Sequence, residues 1–173
     1  MDTFDAIKTK IESREFASKR VPGETRRKIL EAARSTGSSM NTQHWRFVLV
    51  QERVNLERLA RDSTSGRWVA GADFAVLVLT DPKVPGSNID AGRVVQDMQL
   101  AAWNFGVGSG IFTGTVEASL RKDYAIPERM KPAAVLGFGY PATKILGKKD
   151  RKPLEELVFL ERYGQSLKPS DLS

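Results

Sequence analysis

The sequence predicts a domain of mixed helices and strands, a sheet of at least three strands with helices between them. Two observations carry this. Apolar runs with strand character recur at RFVLVQ, FAVLVLTD and AAVLGFGYP, and segments of helical period separate them. A chain of 173 residues is long enough for one real core and short for two, so one domain spanning 1–173 is expected.

The elements follow in order. Phe4, Ile7 and Ile11 recur at spacings of three and four, which makes residues 2–12 a short amphipathic helix. ETRRKILEAARS places Ile29, Leu30, Ala32 and Ala33 on one stripe and its basic residues toward water, giving a second helix that ends near Gly37. RFVLVQ is β-branched and aromatic, and NLERLARDS resumes the helical period. FAVLVLTD is uninterrupted and apolar, as expected of a strand buried on both faces near the middle of the sheet. Between Asn88 and Phe105 the apolar pattern is too wide for a surface helix, so a largely buried central helix is expected. Glycines at 106, 108, 110 and 114 follow, then the strand AAVLGFGYP. The tail ILGKKDRKPLEELVFLERYG is basic and then turns through Pro153 into a short apolar helix. It exposes too much apolar surface for a loose end, so residues from about 153 to 173 read as an arm that docks on a partner subunit.

Composition narrows the chemistry. Hydrophobic residues are 40% and charged residues 28%, the balance of a soluble globular chain. The formal charge of +6 suits an anionic partner, whether nucleic acid, membrane or phosphorylated small molecule. Cysteine is absent, which excludes disulfides, thiolate metal sites and cysteine nucleophiles. The single histidine, His44, leaves little for a metal site or a Ser-His-Asp triad. The first residues carry acids early and show no signal-peptide or membrane-spanning pattern, so a cytoplasmic protein is expected.

Three segments could bind a ligand. Ser38, Ser39, Asn41 and Gln43, in the loop GSSMNTQHW, offer donors and acceptors suited to a planar heterocycle, although a polar turn after a helix would look the same. Lys10 and Arg14 lie near the first helix end, and Lys148, Lys149 and Arg151 near the tail. If the two groups converge they could hold one phosphate; if not, they are solvated surface. GVGSGIFTG lets the backbone approach a flat ligand closely, but it leaves a helix and enters a strand, the reverse of a dinucleotide-binding fingerprint.

Taken in order, these segments resemble the FMN-dependent nitroreductase family, from about Ile7 to about Val158. The resemblance rests on Lys10-Ile11-Glu12-Ser13-Arg14-Glu15-Phe16, on Gly37 through Trp45, on Asp90, Gly92, Gln96, Leu100, Ala101 and Ala102, on Gly106 to Gly114, and on Lys149-Asp150-Arg151 before Pro-Leu-Glu-Glu-Leu. It implies a nitroreductase-like α+β fold: a mostly antiparallel sheet of about four to five strands flanked by helices, in an intertwined homodimer with flavins at the interface. It also implies FMN, with Lys10, Arg14, Lys149 and Arg151 at the phosphate and ribityl chain. Ser38, Ser39 and Asn41 would line the flavin, with some contacts reaching the partner's, and Thr113 and Gly114 would bring backbone N–H groups to the N5 side of the ring. NADH or NADPH would be the donor and a nitroaromatic, quinone or similar small molecule the acceptor, in a ping-pong cycle with no catalytic side chain. A carbon–halogen-cleaving or flavin-fragmenting relative is a variant of this reading. A non-enzymatic flavin- or nucleic-acid-binding protein is the rival. Scattered basic residues without interleaved exposed aromatics speak against nucleic acid, and no membrane partner is expected.

Four departures stand out. Glu12 takes the place of a serine, putting a carboxylate near the expected phosphate, where it costs affinity unless Lys10 or Arg14 pairs with it. Lys10 lacks the fork of an arginine, and Gly37 and His44 replace prolines, so FMN is expected to bind more weakly than in a typical member. The chain is also short for the family, which implies a trimmed cover over the flavin. His44 invites a role as proton donor, but the family chemistry needs no side-chain acid. Trp45, Trp68 and Trp103 read as core residues, and Phe112 lies on a loop expected near the ring.

Overall fold

Strand β2 (Phe74–Thr80) is apolar at nearly every position because both of its faces are covered, and all seven of its residues are buried. Phe74, Val76 and Val78 point to one core while Ala75, Leu77 and Leu79 point to the other. β2 pairs antiparallel with β1 (Arg46–Val50) on one side and β4 (Lys131–Gly139) on the other, and β3 (Gly108–Phe112) closes the four-stranded order β1-β2-β4-β3. The coordinates are a computed structural model that describes residues 1–143 and 149–172.

Helices cover both faces of the sheet. On the Phe74 side lie α2 (Gly23–Ser35) and the long α4 (Ser87–Asn104), which contribute Ile29, Ala33, Val94, Met98 and Ala102. On the Leu77 side lie α3 (Arg53–Arg61), a 3₁₀ turn over Arg67–Gly71, and α5 (Glu117–Asp123), an element that periodicity did not reveal. Phe74 and Phe138 stack across β2 and β4 with centroids 4.8 Å apart, joining the strands above the α2–α4 layer. Among the described residues no helix is long and apolar enough to cross a membrane.

Several expectations meet corrections. The opening helix α1 spans Thr3–Thr9 and buries Ala6, while Phe4 and Ile7 face solvent in the protomer. α4 is buried along one side only: Ile89 is 72% exposed, and Gly92 and Gln96 are exposed with it. Past Pro153 the described residues form no α-helix but 3₁₀ turns over Leu154–Glu156 and Pro169–Leu172, with an isolated bridge between Phe159 and Ser166. A short helix with little core to pack on is marginal, and of this tail's described residues Leu167 alone is buried. Trp45 is buried as expected, Trp68 and Trp103 are half-buried, and Phe112 is buried against Trp68 instead of lining a loop.

Candidate functional site

The N-terminal segment is led to the sheet edge by its own backbone. Lys10 ends α1 in extended conformation, its N–H donating to the Ala6 carbonyl at 2.9 Å, and Glu12 then bridges in parallel to Ser109 on the free edge of β3. The Ser13 N–H donates to the Ser109 carbonyl at 2.8 Å. The next outward amide on that edge, Ile111 N–H, donates instead to the Glu12 carboxylate at 3.1 Å. Gln99 of α4 donates its side-chain amide to the other Glu12 oxygen at 3.2 Å, and the Lys10 ammonium completes the set with an ion pair. Lys10 therefore pairs with the acid that replaces the expected serine.

The far end of the chain arrives at the same place. Lys149 donates its ammonium to the carbonyl of Ile7 in the last turn of α1, where backbone acceptors lack helical partners and the helix dipole favours a cation. Burial first, then the positive charges of Arg151 and Lys10, push Lys149 below the ordinary lysine value of 10.5. The two ends of the chain thus share one electrostatic field. Lys10, Lys149 and Arg151 outnumber the Glu12 carboxylate with which Lys10 pairs, and a group held in surplus positive charge suits an anionic ligand. Lys148 falls outside the described residues. Arg14 lies beyond Glu12, with its guanidinium 6.0 Å from the centre of the Trp68 ring, in a 360 Å³ cleft lined also by Glu12, Ser13, Glu15, Pro141 and Thr143.

The polar loop is held by a different residue. Ser39–Asn41 form a 3₁₀ turn in which Met40 (φ 50°) and Asn41 (φ 55°) are left-handed, as is Gln43 (φ 46°). Such backbone is costly outside glycine and persists because partners fix it. The Gln43 N–H donates to Ser38 Oγ at 2.9 Å, and the Ser39 N–H to the Asp90 carboxylate at 2.9 Å. His44 Nε2 reaches the same Asp90 oxygen at 3.3 Å, and Arg93 stands 3.6 Å from the other. Burial raises the Asp90 pKa, but the Ser39 amide and His44 more than offset it, so the carboxyl lies below its ordinary value of 3.8. His44 is thus buried with its Nε2 against Asp90, and the ring braces the loop.

α4 serves as a ruler between the two clusters. Asp90 and Gln99 lie nine residues apart on it, about 13 Å along the axis and half a turn round, on opposite faces. Among the described residues no hydrogen bond or ion pair links Ser38, Ser39 or Asn41 to Lys10, Lys149 or Arg151. Thr113 and Gly114 follow β3 directly. Thr113 is exposed and lines a 370 Å³ cleft between α4 and the β3–β4 edge with Asn88, Gly92, Ile111 and Lys131. Ile111 also carries the amide that binds Glu12, so this cleft adjoins the cationic cluster. Gly114 accepts the Thr64 N–H at 2.9 Å, and a Cβ there would come within 2.4 Å of Thr64 Oγ1.

The order of these elements has counterparts in known proteins. Residues 8–83 and 66–140 match the profile described as the nitroreductase family. A protein of Methanothermobacter thermautotrophicus, named as a candidate NADH dehydrogenase/NAD(P)H nitroreductase, is 33% identical over 169 residues, covering 90% of this chain and 88% of that one. The chain belongs to the nitroreductase family. A crystal structure of a candidate NADH dehydrogenase/NAD(P)H nitroreductase from Bacteroides thetaiotaomicron superposes with a TM-score of 0.86 at 26% identity, covering 93% of this chain and 98% of that one. An FMN-dependent nitroreductase from Clostridium difficile shares the fold at a TM-score of 0.86 and 21% identity, over 92% of this chain and 99% of the other.

Within this nitroreductase chain, sequence reasoning missed Gln99 and the anchoring role of Asp90. A signal existed for both: an amide and a carboxylate buried at the two margins of the apolar stripe of α4 must find partners. The Ile111 amide carried no such signal, because it depends on which edge of β3 is free.

Proposed function

We propose that this chain is an FMN-dependent oxidoreductase of the nitroreductase type, taking electrons from NADH or NADPH and passing them to a small organic acceptor such as a nitroaromatic or quinone. The observation that carries the reading is the convergence of Lys10, Lys149 and Arg151 from the two ends of the chain. The names of the relatives in Methanothermobacter and Clostridium point the same way.

FMN, when bound, supplies the chemistry: hydride acceptance from the nicotinamide and onward transfer to the acceptor in a ping-pong cycle. The protein's part is placement and charge. Lys149 and Arg151, together with Lys10, would hold the phosphate by charge-assisted hydrogen bonds, and Arg14 lines the cleft beside Glu12. Thr113, which lines the cleft with Ile111, and Gly114 beside it would offer backbone N–H groups to the ring. Positive charge there also favours electron-rich bound species. No side chain is assigned proton transfer.

Ser38, Ser39 and Asn41 hang from the opposite face of α4, so they serve a flavin held by a second copy of the chain. The assembly is a homodimer of single-domain subunits in which the tail from about residue 153 docks on the partner. Leu154, Leu157 and Val158 are exposed in the protomer, as are Phe4 and Ile7 of α1. The deciding experiment is anaerobic: NADH or NADPH is added to the purified protein reconstituted with FMN. Bleaching of the flavin absorbance, reversed by a nitroaromatic or quinone, is the expected result. A protein that no added FMN colours contradicts the reading.

A further inference from the structure

Glu12 differs from the other glutamates in ion pairs. Glu24, Glu31 and Glu117 pair with neighbours three or four residues away on helix surfaces. Glu12 instead collects donors from three separate elements: the Lys10 ammonium, Gln99 of α4 and the edge amide of β3 at Ile111. The Lys10 side chain is 7% exposed and that of Glu12 40%. Glu12 lines the cleft that Arg14 shares, and Lys10 does not. What the cleft meets at this point is therefore the acid, with the ammonium behind it.

Resting on the FMN reading, we infer that Glu12 sets the selectivity of this site between phosphorylated and unphosphorylated flavins. It engages Lys10 and adds a negative charge beside the phosphate position, so Lys149 and Arg151 are left as the phosphate's direct cationic partners. With Glu12 the cluster carries two net positive charges; without it, three. A phosphate of charge near −2 feels that difference, whereas the uncharged ribityl end of riboflavin does not. The site accordingly prefers FMN over riboflavin by less than it would without Glu12.

The test is equilibrium binding of FMN and of riboflavin, read by flavin fluorescence, to the apoprotein and its Glu12→Gln variant. Glutamine keeps the size of the side chain and an acceptor for the Ile111 amide while removing the charge. The ratio of FMN to riboflavin affinity is expected to rise about tenfold, through FMN alone. A ratio within twofold of the wild type, or a lower one, overturns the inference. If the glutamine variant does not fold, Glu12→Ser decides by the same ratio. If Lys149→Ala releases FMN while the Glu12 variants leave the ratio unchanged, the FMN reading stands and the role of Glu12 falls. Failure of the wild type to bind either flavin overturns both.

Discussion

The backbone N–H of Ser39 donates to the carboxylate of Asp90 at 2.9 Å, and this bond ties the left-handed turn of the polar loop to the first turn of α4. Asp90 is 2% exposed and serves His44 as well, so one buried acid fixes both the turn and the ring behind it.

Asp90→Ala removes the acceptor for both groups and is expected to cost about 1–3 kcal/mol. The carboxyl's folded pKa is depressed, so its contribution is present above 3.8 and is lost as pH falls through the folded value. Urea unfolding at pH 7 and near pH 3 checks this. The gap between wild type and variant should be wide at the higher pH and narrow at the lower.

Lys149 gives a pH dependence of the same sign at the alkaline end of the scale. Burial, Arg151 and Lys10 disfavour its charged form in the folded state, so the protonated lysine works against folding. Between its folded pKa and 10.5 the unfolded chain binds the proton more tightly, and this group's contribution to stability rises with pH. In Lys149→Met that rise should disappear, as measured by thermal unfolding from pH 8 to 10.5. Inorganic phosphate should stabilise the wild type more than the variant.

Gly66 is required by the packing of Phe112. A Cβ at residue 66 would lie 2.4 Å from the Phe112 ring, whose other neighbour is the edge of Trp68 at a centroid distance of 5.7 Å. Gly66→Ala is expected to destabilise by about 1–3 kcal/mol, as overpacking does. Combined with Phe112→Leu it should cost less than the sum of the two single changes, because the smaller side chain makes room. Denaturant midpoints of the three variants decide.

Ending the chain after residue 152 should weaken self-association. The removed segment carries Leu154 (52% exposed), Leu157 (59%) and Tyr163 (93%), surface that a stable monomer seldom leaves bare. Sedimentation over a concentration series should show a dimer for the full chain and a shift toward monomer for the shortened one. The same shape for both would assign the interface elsewhere.

Much of the fold was legible because long apolar runs admit few readings. FAVLVLTD could only be a strand covered on both faces, and β2 is that strand. The second and fourth helices were legible from their period, and the antiparallel sheet from the family resemblance. The tail was misread as helical because its apolar spacing belongs to surface that no part of its own protomer covers. The exposure of Phe4 and Ile7 has the same origin. At the site, the acid at Glu12 calls for pairing with Lys10 or Arg14, and Lys10 is the one that supplies it. That Gln99 and the Ile111 amide also bind it was not legible, since both depend on how α4 and the β3 edge meet.

The central claim is that Lys149 and Arg151 hold the phosphate of a bound FMN, and the most direct test is equilibrium FMN binding to the Lys149→Ala/Arg151→Ala double variant. The account expects FMN affinity to fall by about a hundredfold while riboflavin binding and the unfolding midpoint change little. FMN affinity equal to that of the wild type in a folded double variant would contradict it.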